Sequence, residues 1–287
     1  DPSNAQIPRE PRVISQDSEK ITSNETSLKE LLQFAHRLAD GTEESILSRF
    51  RSKLAVEDKT DSSPVTIADR EAEQEMRNLI QSLFPDHGII GEEHGEMNPN
   101  SPLQWVLDPI DGTRAFITGN PLFGTLIGLM EQGNPRLGVI NIPATGERWT
   151  SAEGLNCHYQ NKSGKEFVCK VSGITRLSEV LMYSTDPSMF DQEQTVLVDQ
   201  LIKKVKSRRY GGDCYLYGML AGGWIDLVVE ADMKLYDVMA LIPVVQSAGG
   251  VISDWKGNPI QPGWDGTVLA SASPELHQQV VKILKTS

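Results

Sequence analysis

Trp105-Val106-Leu107-Asp108-Pro109-Ile110-Asp111-Gly112-Thr113 decides how the rest of the chain is read. An apolar run ends on two carboxylates that bracket a proline, and Gly-Thr follows where a helix would open. Pro109 fixes φ and removes a donor, so a bend is expected at the end of the strand. The bend would turn Asp108, Asp111 and the Ile110 carbonyl toward one cavity. The amides of Gly112, Thr113 and Arg114 would sit at a helix N-terminus, a setting that binds anions such as phosphate. Hard oxygen ligands grouped in this way suit Mg²⁺, which takes carboxylates, water and substrate phosphate. A plain strand-turn-helix with a self-capping Asp would use the same residues, and this segment alone leaves the two readings evenly weighted.

The other acids tip the balance. Asp69, Glu92 and Asp237 also stand at expected element ends beside apolar runs. Five acids in one cleft would repel strongly unless a divalent metal paired them. Such a set is expected where two or three metals assist phosphoryl transfer.

Outward from this centre the chain alternates between helical and strand-like texture. Residues 1–25 are polar, hold three prolines and lack periodicity, so a flexible lead-in is expected. Ser27-Leu28-Lys29-Glu30 is a capping box, and Leu28, Leu31, Leu32, Ala35 and Leu38 follow at helical spacing. A second helical stretch carries Ile46, Leu47, Phe50 and Leu54, and Glu57 to Pro64 reads as a polar loop. A further helix begins near Ala68, with Ala72, Met76, Leu79, Ile80 and Leu83 on one face. The runs at 87–91 and 104–107 read as buried strands that deliver carboxylates to one place. Residues 123–171 read as an antiparallel sheet, with turns at 132–135 and 144–146. Strands are then expected at 181–184, 225–230, 251–253 and 268–271. Helices are expected at 192–205, 214–221 and 236–247, with a last one opened by Ser273-Pro274. The organisation expected is an α+β lobe over 26–175, carrying most of the acids, and an α/β lobe over 176–287 carrying Asp213, Glu230 and Asp237.

Composition limits the partners. The chain has 287 residues, 39% hydrophobic and 23% charged, with a formal net charge of −12. That charge argues against nucleic acid or an anionic membrane as a main partner. It leaves room for an anionic small substrate if metal ions supply local positive charge. No apolar run approaches the ~20 residues of a membrane helix. Three sparse cysteines, Cys157, Cys169 and Cys214, suit a reducing compartment, so an intracellular soluble protein is expected. The five histidines are scattered without metal spacing. The basic run from Lys203 to Arg209 reads as a solvated helix end.

Four motifs in order now carry a resemblance. They are Thr66-Ile67-Ala68-Asp69, Gly91-Glu92-Glu93, Asp108-Pro109-Ile110-Asp111-Gly112-Thr113, and Tyr236-Asp237 followed by Ser247-Ala248-Gly249-Gly250. Together they resemble the inositol monophosphatase superfamily of Mg²⁺-dependent, lithium-sensitive phosphatases, over about residues 28–285. Asp111-Gly112-Thr113-Arg114-Ala115-Phe116 and Gly211-Gly212-Asp213-Cys214-Tyr215 look most like its histidinol-phosphatase branch, and within it the plant members. The usual segment ahead of Asp69 has a Thr where this chain has Ala68, so a hydroxyl is lost there.

The resemblance implies a layered αβαβα sandwich, usually dimeric, and a plastid address. It implies two to three Mg²⁺ ions on Glu92, Asp108, the Ile110 carbonyl, Asp111 and Asp237, with Asp69 on the third and Lys59 to Ser63 as a mobile loop near it. One ion would activate the attacking water and another would steady the leaving oxygen. Thr113 would orient that water, Asp69 would take its proton, and Glu92 would take part in the chemistry. Glu92, Asp111, Gly112, Thr113, Arg114, Gly212, Asp213, Glu230 and Asp237 would line the substrate. The substrate implied is a phosphate ester, L-histidinol phosphate, with Asp213 and Glu230 at its cationic end. An inositol monophosphatase or a broad sugar-phosphate or nucleotide phosphatase is the alternative.

Overall fold

The computed structural model describes residues 26–53, 55–60 and 64–285. The expected lead-in, Leu54 and part of the 57–64 loop lie outside them. Ser27 caps α1 (Leu28–Arg49), accepting from the Glu30 amide while the Glu30 carboxylate reaches back to the Ser27 N–H. The two helical stretches expected here form this single helix, because the buried face carries on through Thr42 to Ile46. The polar loop contains a short antiparallel pair, β1 (Val56–Asp58) with β2 (Pro64–Thr66). Thr66 then caps α2 (Ile67–Leu83).

The chain next builds an eight-stranded sheet from β3 (Gly88–Gly91), β4 (Gly95–Met97), β5 (Leu103–Asp111), β6 (Gly124–Glu131), β7 (Asn134–Ile142), β8 (Glu147–Ala152), β9 (His158–Asn161) and β10 (Glu166–Val168). Its order is β10-β9-β8-β7-β6-β5-β3-β4, with the short helix α3 (Thr113–Ile117) after β5. The β6–β10 meander accounts for the strand texture of 123–171.

The second half alternates as expected except at the basic run, where the helix stops at Ile202 and Ser207–Tyr210 is a strand and not a helix end. In order come β11 (Leu181–Ser184), α4 (Gln192–Ile202), β12 (Ser207–Tyr210), α5 (Tyr215–Ala221) and β13 (Leu227–Glu230). After them come α6 (Leu235–Val238), α7 (Leu241–Ser247), β14 (Val251–Ser253), β15 (Val268–Ser271) and α8 (Pro274–Leu284). A five-stranded sheet results, ordered β12-β11-β13-β15-β14. The expected helix over 236–247 is two pieces. Pro243 has no N–H to bond the Met239 carbonyl, so the helix breaks between them.

Three apolar clusters stack these elements into αβαβα layers. Leu31, Phe34 and Leu38 of α1 and Met76 and Ile80 of α2 pack on Trp105, Ile127 and Val139 of the large sheet. The other face of that sheet, with Val106, Leu126 and Ile140, packs against Leu216 and Leu220 of α5 and Leu241 and Val244 of α7. These helices in turn meet Val228 and Ala270 of the small sheet. Leu197 and Leu201 of α4 and Leu276 and Val280 of α8 cover its outer face through Leu227 and Leu269. The middle cluster thus draws on both sides of residue 175. Gly138 lets β7 approach this layer closely, since a Cβ there would collide with the Ala240 carbonyl. No helix among the described residues is long and apolar enough to cross a membrane.

Candidate metal and phosphate site

Strand pairing gathers the acids. β3 runs parallel to β5, with Gly91 opposite Leu107, and the Glu92 N–H donates to the Leu107 carbonyl (3.2 Å). Glu92 and Asp108 therefore leave adjacent strands at the same level. The bend expected at Pro109 is a shift in register between β5 and β6 from Asp108 to Asp111. Thr125 Oγ1 donates to the Pro109 carbonyl (2.9 Å) and pins the irregular stretch. β5 therefore continues through the proline, and the kink brings Asp111 round beside Asp108. Asp111 Oδ2 accepts the Cys214 N–H (2.8 Å). Asp237 stands in the first turn of α6, where its Oδ2 accepts the Lys234 N–H (2.7 Å).

One oxygen from each of Asp108, Asp111 and Asp237 lies within 4.8 Å of the others. Asp108 is 1% exposed and its Oδ1 has no hydrogen-bond partner. Burial and the neighbouring charges of Glu92, Asp111 and Asp237 push the Asp108 carboxyl well above its usual range. Burial, with Asp213 and Asp237 nearby, does the same to Asp111. Burial carries Asp237 up to about 7. Gathering these carboxylates without a cation is unfavourable, and an orphaned buried oxygen compounds the cost. An all-oxygen donor set of this charge fits a hard divalent cation.

Asp69 lies one step behind. It is fully buried at the start of α2, and its Oδ2 accepts the Thr66 N–H (2.9 Å) and hydroxyl (2.6 Å). Thr113 Oγ1 is 3.1 Å from both Asp69 Oδ1 and the Ile110 carbonyl. That hydroxyl has one proton, so it donates to one of them at a time.

The cleft in front of these groups has a volume of about 370 Å³. It is lined by Glu92, Asp108, Ile110, Asp111 and Asp237 together with Gly112, Thr113 and Arg114. Thr185, Asp186, Ser188, Met189, Asp213 and Asp232 complete the lining. Gly112 takes φ +82°, and a Cβ there would come within 2.9 Å of Asp213 Cγ.

Two expected substrate contacts do not line this cleft. Glu230 is buried, with Oε1 accepting the Tyr217 hydroxyl (2.9 Å) and Oε2 the Thr185 N–H (3.1 Å). Both of its oxygens brace the wall from behind. Gly212 is buried, and a Cβ on it would collide with Leu216.

Glu73 and Asp186 were not visible in the sequence, and Lys59 was placed near the site only by the resemblance. Glu73 is fully buried on α2. It accepts the Glu93 N–H (2.6 Å), the His94 N–H (3.0 Å) and Arg77 Nε (2.8 Å), which fixes the turn that carries Glu92. The spacing Glu73 to Arg77 beside the apolar Ala72 and Met76 was the available signal. Lys59 Nζ bridges Glu92 (2.8 Å) and Glu93 (2.7 Å) and brings the β1–β2 hairpin to the site. Asp186 sits in Ser184-Thr185-Asp186-Pro187, which reads as an ordinary turn.

Residues 27–287 match the model of the inositol monophosphatase family. The chain is 39% identical to the bifunctional phosphatase IMPL2, chloroplastic, of Arabidopsis thaliana, over 95% of this chain and 80% of that protein. It is 37% identical to the histidinol-phosphatase of Chlorobaculum parvum, over 87% of this chain and 95% of that one. An inositol monophosphatase from Zymomonas mobilis superposes with a TM-score of 0.82 at 39% identity, covering 91% of this chain and all of that one (100%). The chain therefore belongs to the inositol monophosphatase family, a family of metal-dependent phosphatases, and is itself a phosphatase.

Proposed function

We propose that the chain is a Mg²⁺-dependent phosphomonoesterase that converts L-histidinol phosphate to L-histidinol and phosphate, a step of histidine biosynthesis. The observation that carries the reading is a cleft whose lining holds Asp186 and Asp213 in addition to the buried carboxylate cluster. The cluster of Asp108, Asp111 and Asp237 suits the metals that receive the phosphoryl group, and Asp213 suits a cationic alcohol.

Glu92, Asp108, the Ile110 carbonyl, Asp111 and Asp237 would hold two ions, with Asp69 at a third. When bound, the ions supply Lewis acidity for a water nucleophile and positive charge for the phosphoryl and leaving oxygens. The amides of Gly112, Thr113 and Arg114 hold the phosphoryl oxygens. Thr113 orients the attacking water, and Asp69 takes its proton through the Thr113 hydroxyl. Cys214 and Lys234 fix Asp111 and Asp237 through backbone N–H groups, so the carboxylates need little reordering.

The lobes at 26–175 and 176–287 would each contribute, the second supplying Asp213 and Asp237. A homodimer and a plastid location are part of the same proposal. The latter rests on similarity to the Arabidopsis protein named chloroplastic. An inositol phosphate or a broader set of phosphate esters is the second reading, supported by the similarity to the Zymomonas protein.

Phosphate release from L-histidinol phosphate and myo-inositol 1-phosphate separates the two. A tenfold or greater preference in kcat/KM for the histidinol ester is expected, about 1.4 kcal/mol of differential transition-state binding. Equal or reversed values would discard the substrate, and release from neither would discard the reaction.

A further inference from the structure

The wall of the cleft beyond Gly112 is built to hold charge. Asp213 adopts φ +49° and follows Gly211 at +93° and Gly212 at +140°. A left-handed backbone is uncommon for a residue with a side chain, although Asp tolerates it better than most. Its N–H donates to Thr185 Oγ1 (3.2 Å), which ties it to the loop after β11. Its carboxylate lies against Gly112, and its charge is felt at Asp111.

Asp186 stands across the same space. Its Oδ1 accepts the Ser188 N–H (2.7 Å) and caps the turn Pro187–Met189, leaving the second oxygen for another donor. The two carboxylates feel one another. Burial and then the Asp186 charge push Asp213 up to about 6, and Arg114 offsets part of this. Two acids and one arginine leave this wall with a net charge of −1. Asp232, also on the wall, is already paired with Lys234 (2.9 Å). With the metal and phosphoryl group at the unpartnered Asp108 Oδ1, the remaining acids of the lining, Asp186 and Asp213, are left to face the alcohol portion.

We propose that Asp186 acts with Asp213 as a clamp for an ammonium group on the alcohol of the substrate, Asp186 being the residue that sets the preference for cationic phosphate esters. The clamp rests on the phosphatase reading and extends it to a residue outside the sequence motifs. Tyr217 and Thr185 keep Glu230 behind the wall, so Asp186 supplies the charge expected of Glu230.

The test is Asp186→Asn, assayed with Mg²⁺ on L-histidinol phosphate and on myo-inositol 1-phosphate. Asn caps as well as Asp, so the turn at Pro187 is retained. The ratio of the two kcat/KM values is expected to fall at least tenfold, mainly through a higher KM for the histidinol ester, and Asp186→Glu should restore part of it. An unchanged ratio would overturn the clamp, whether both esters slow together or neither slows. A wild-type protein that hydrolyses both esters without preferring the cationic one would overturn the clamp and leave the phosphatase reading intact. A wild-type protein that hydrolyses neither would overturn that reading and the clamp with it.

Discussion

Replacing Asp111 by Asn should leave a folded protein with about a thousandth of its turnover or less. The side chains are nearly the same size, and the Asn carbonyl oxygen still accepts the Cys214 N–H that holds Asp111 Oδ2. The change removes one of three mutually repelling carboxylates, so the metal-free fold loses nothing and gains some relief. What it removes is a charged ligand facing the reacting phosphoryl group. A thousandfold loss corresponds to about 4 kcal/mol, the size expected when one preorganised charge in a water-poor site is lost. Steady-state kinetics beside a thermal melt read both parts. Near-normal turnover would show that the chemistry lies elsewhere.

Magnesium should stabilise the protein by several kcal/mol at pH 8 and far less at pH 5.5. Burial raises Asp237 and Glu230 to about 7 and Asp213 to about 6, with Asp108 and Asp111 well above their usual values. A carboxyl whose folded value exceeds its unfolded one binds more protons when native. Between the ordinary values near 4 and the folded values near 6 to 7, stability therefore falls as pH rises. The melting temperature of chelator-treated protein should drop from pH 5.5 to 8. Divalent ions bind the deprotonated carboxylates, so they compete with protons and act most strongly where the metal-free fold is weakest. Each site adds about 2.7 kcal/mol at a hundred times its Kd. A Mg²⁺-induced shift that is equal at both pH values, or absent, would contradict a buried carboxylate site.

Local chemistry was readable wherever it had a local cause. The Ser27 and Ser273 caps, the antiparallel meander after Phe123 and the strands leading into Glu92 and Asp108 all follow from turn residues and hydrophobic period. The grouping of Asp108, Asp111 and Asp237 was legible too, because the Pro109 kink and the Asp237 helix start announce themselves.

Features set by tertiary contact were not. Glu73 looks like a solvated helix residue until α2 packs its face onto the turn after β3. Glu230 was rightly placed at a strand end, but whether its side chain meets ligand or core depended on Tyr217 reaching it from α5. Asp186 enters the site because β11 lies parallel to β13, an adjacency that no short motif encodes. Lys59 reaches Glu92 across the fold from a stretch whose charge reads only as a polar loop, and only the family resemblance put that loop near the metals.

The most direct measurement is phosphate release from L-histidinol phosphate by chelator-treated protein as Mg²⁺ is added back. The account predicts no release above background without the ion and a saturable rise as it is restored. Full turnover in excess chelator would contradict it, because the carboxylates of the cleft would then be working without the cation that their charge and burial call for.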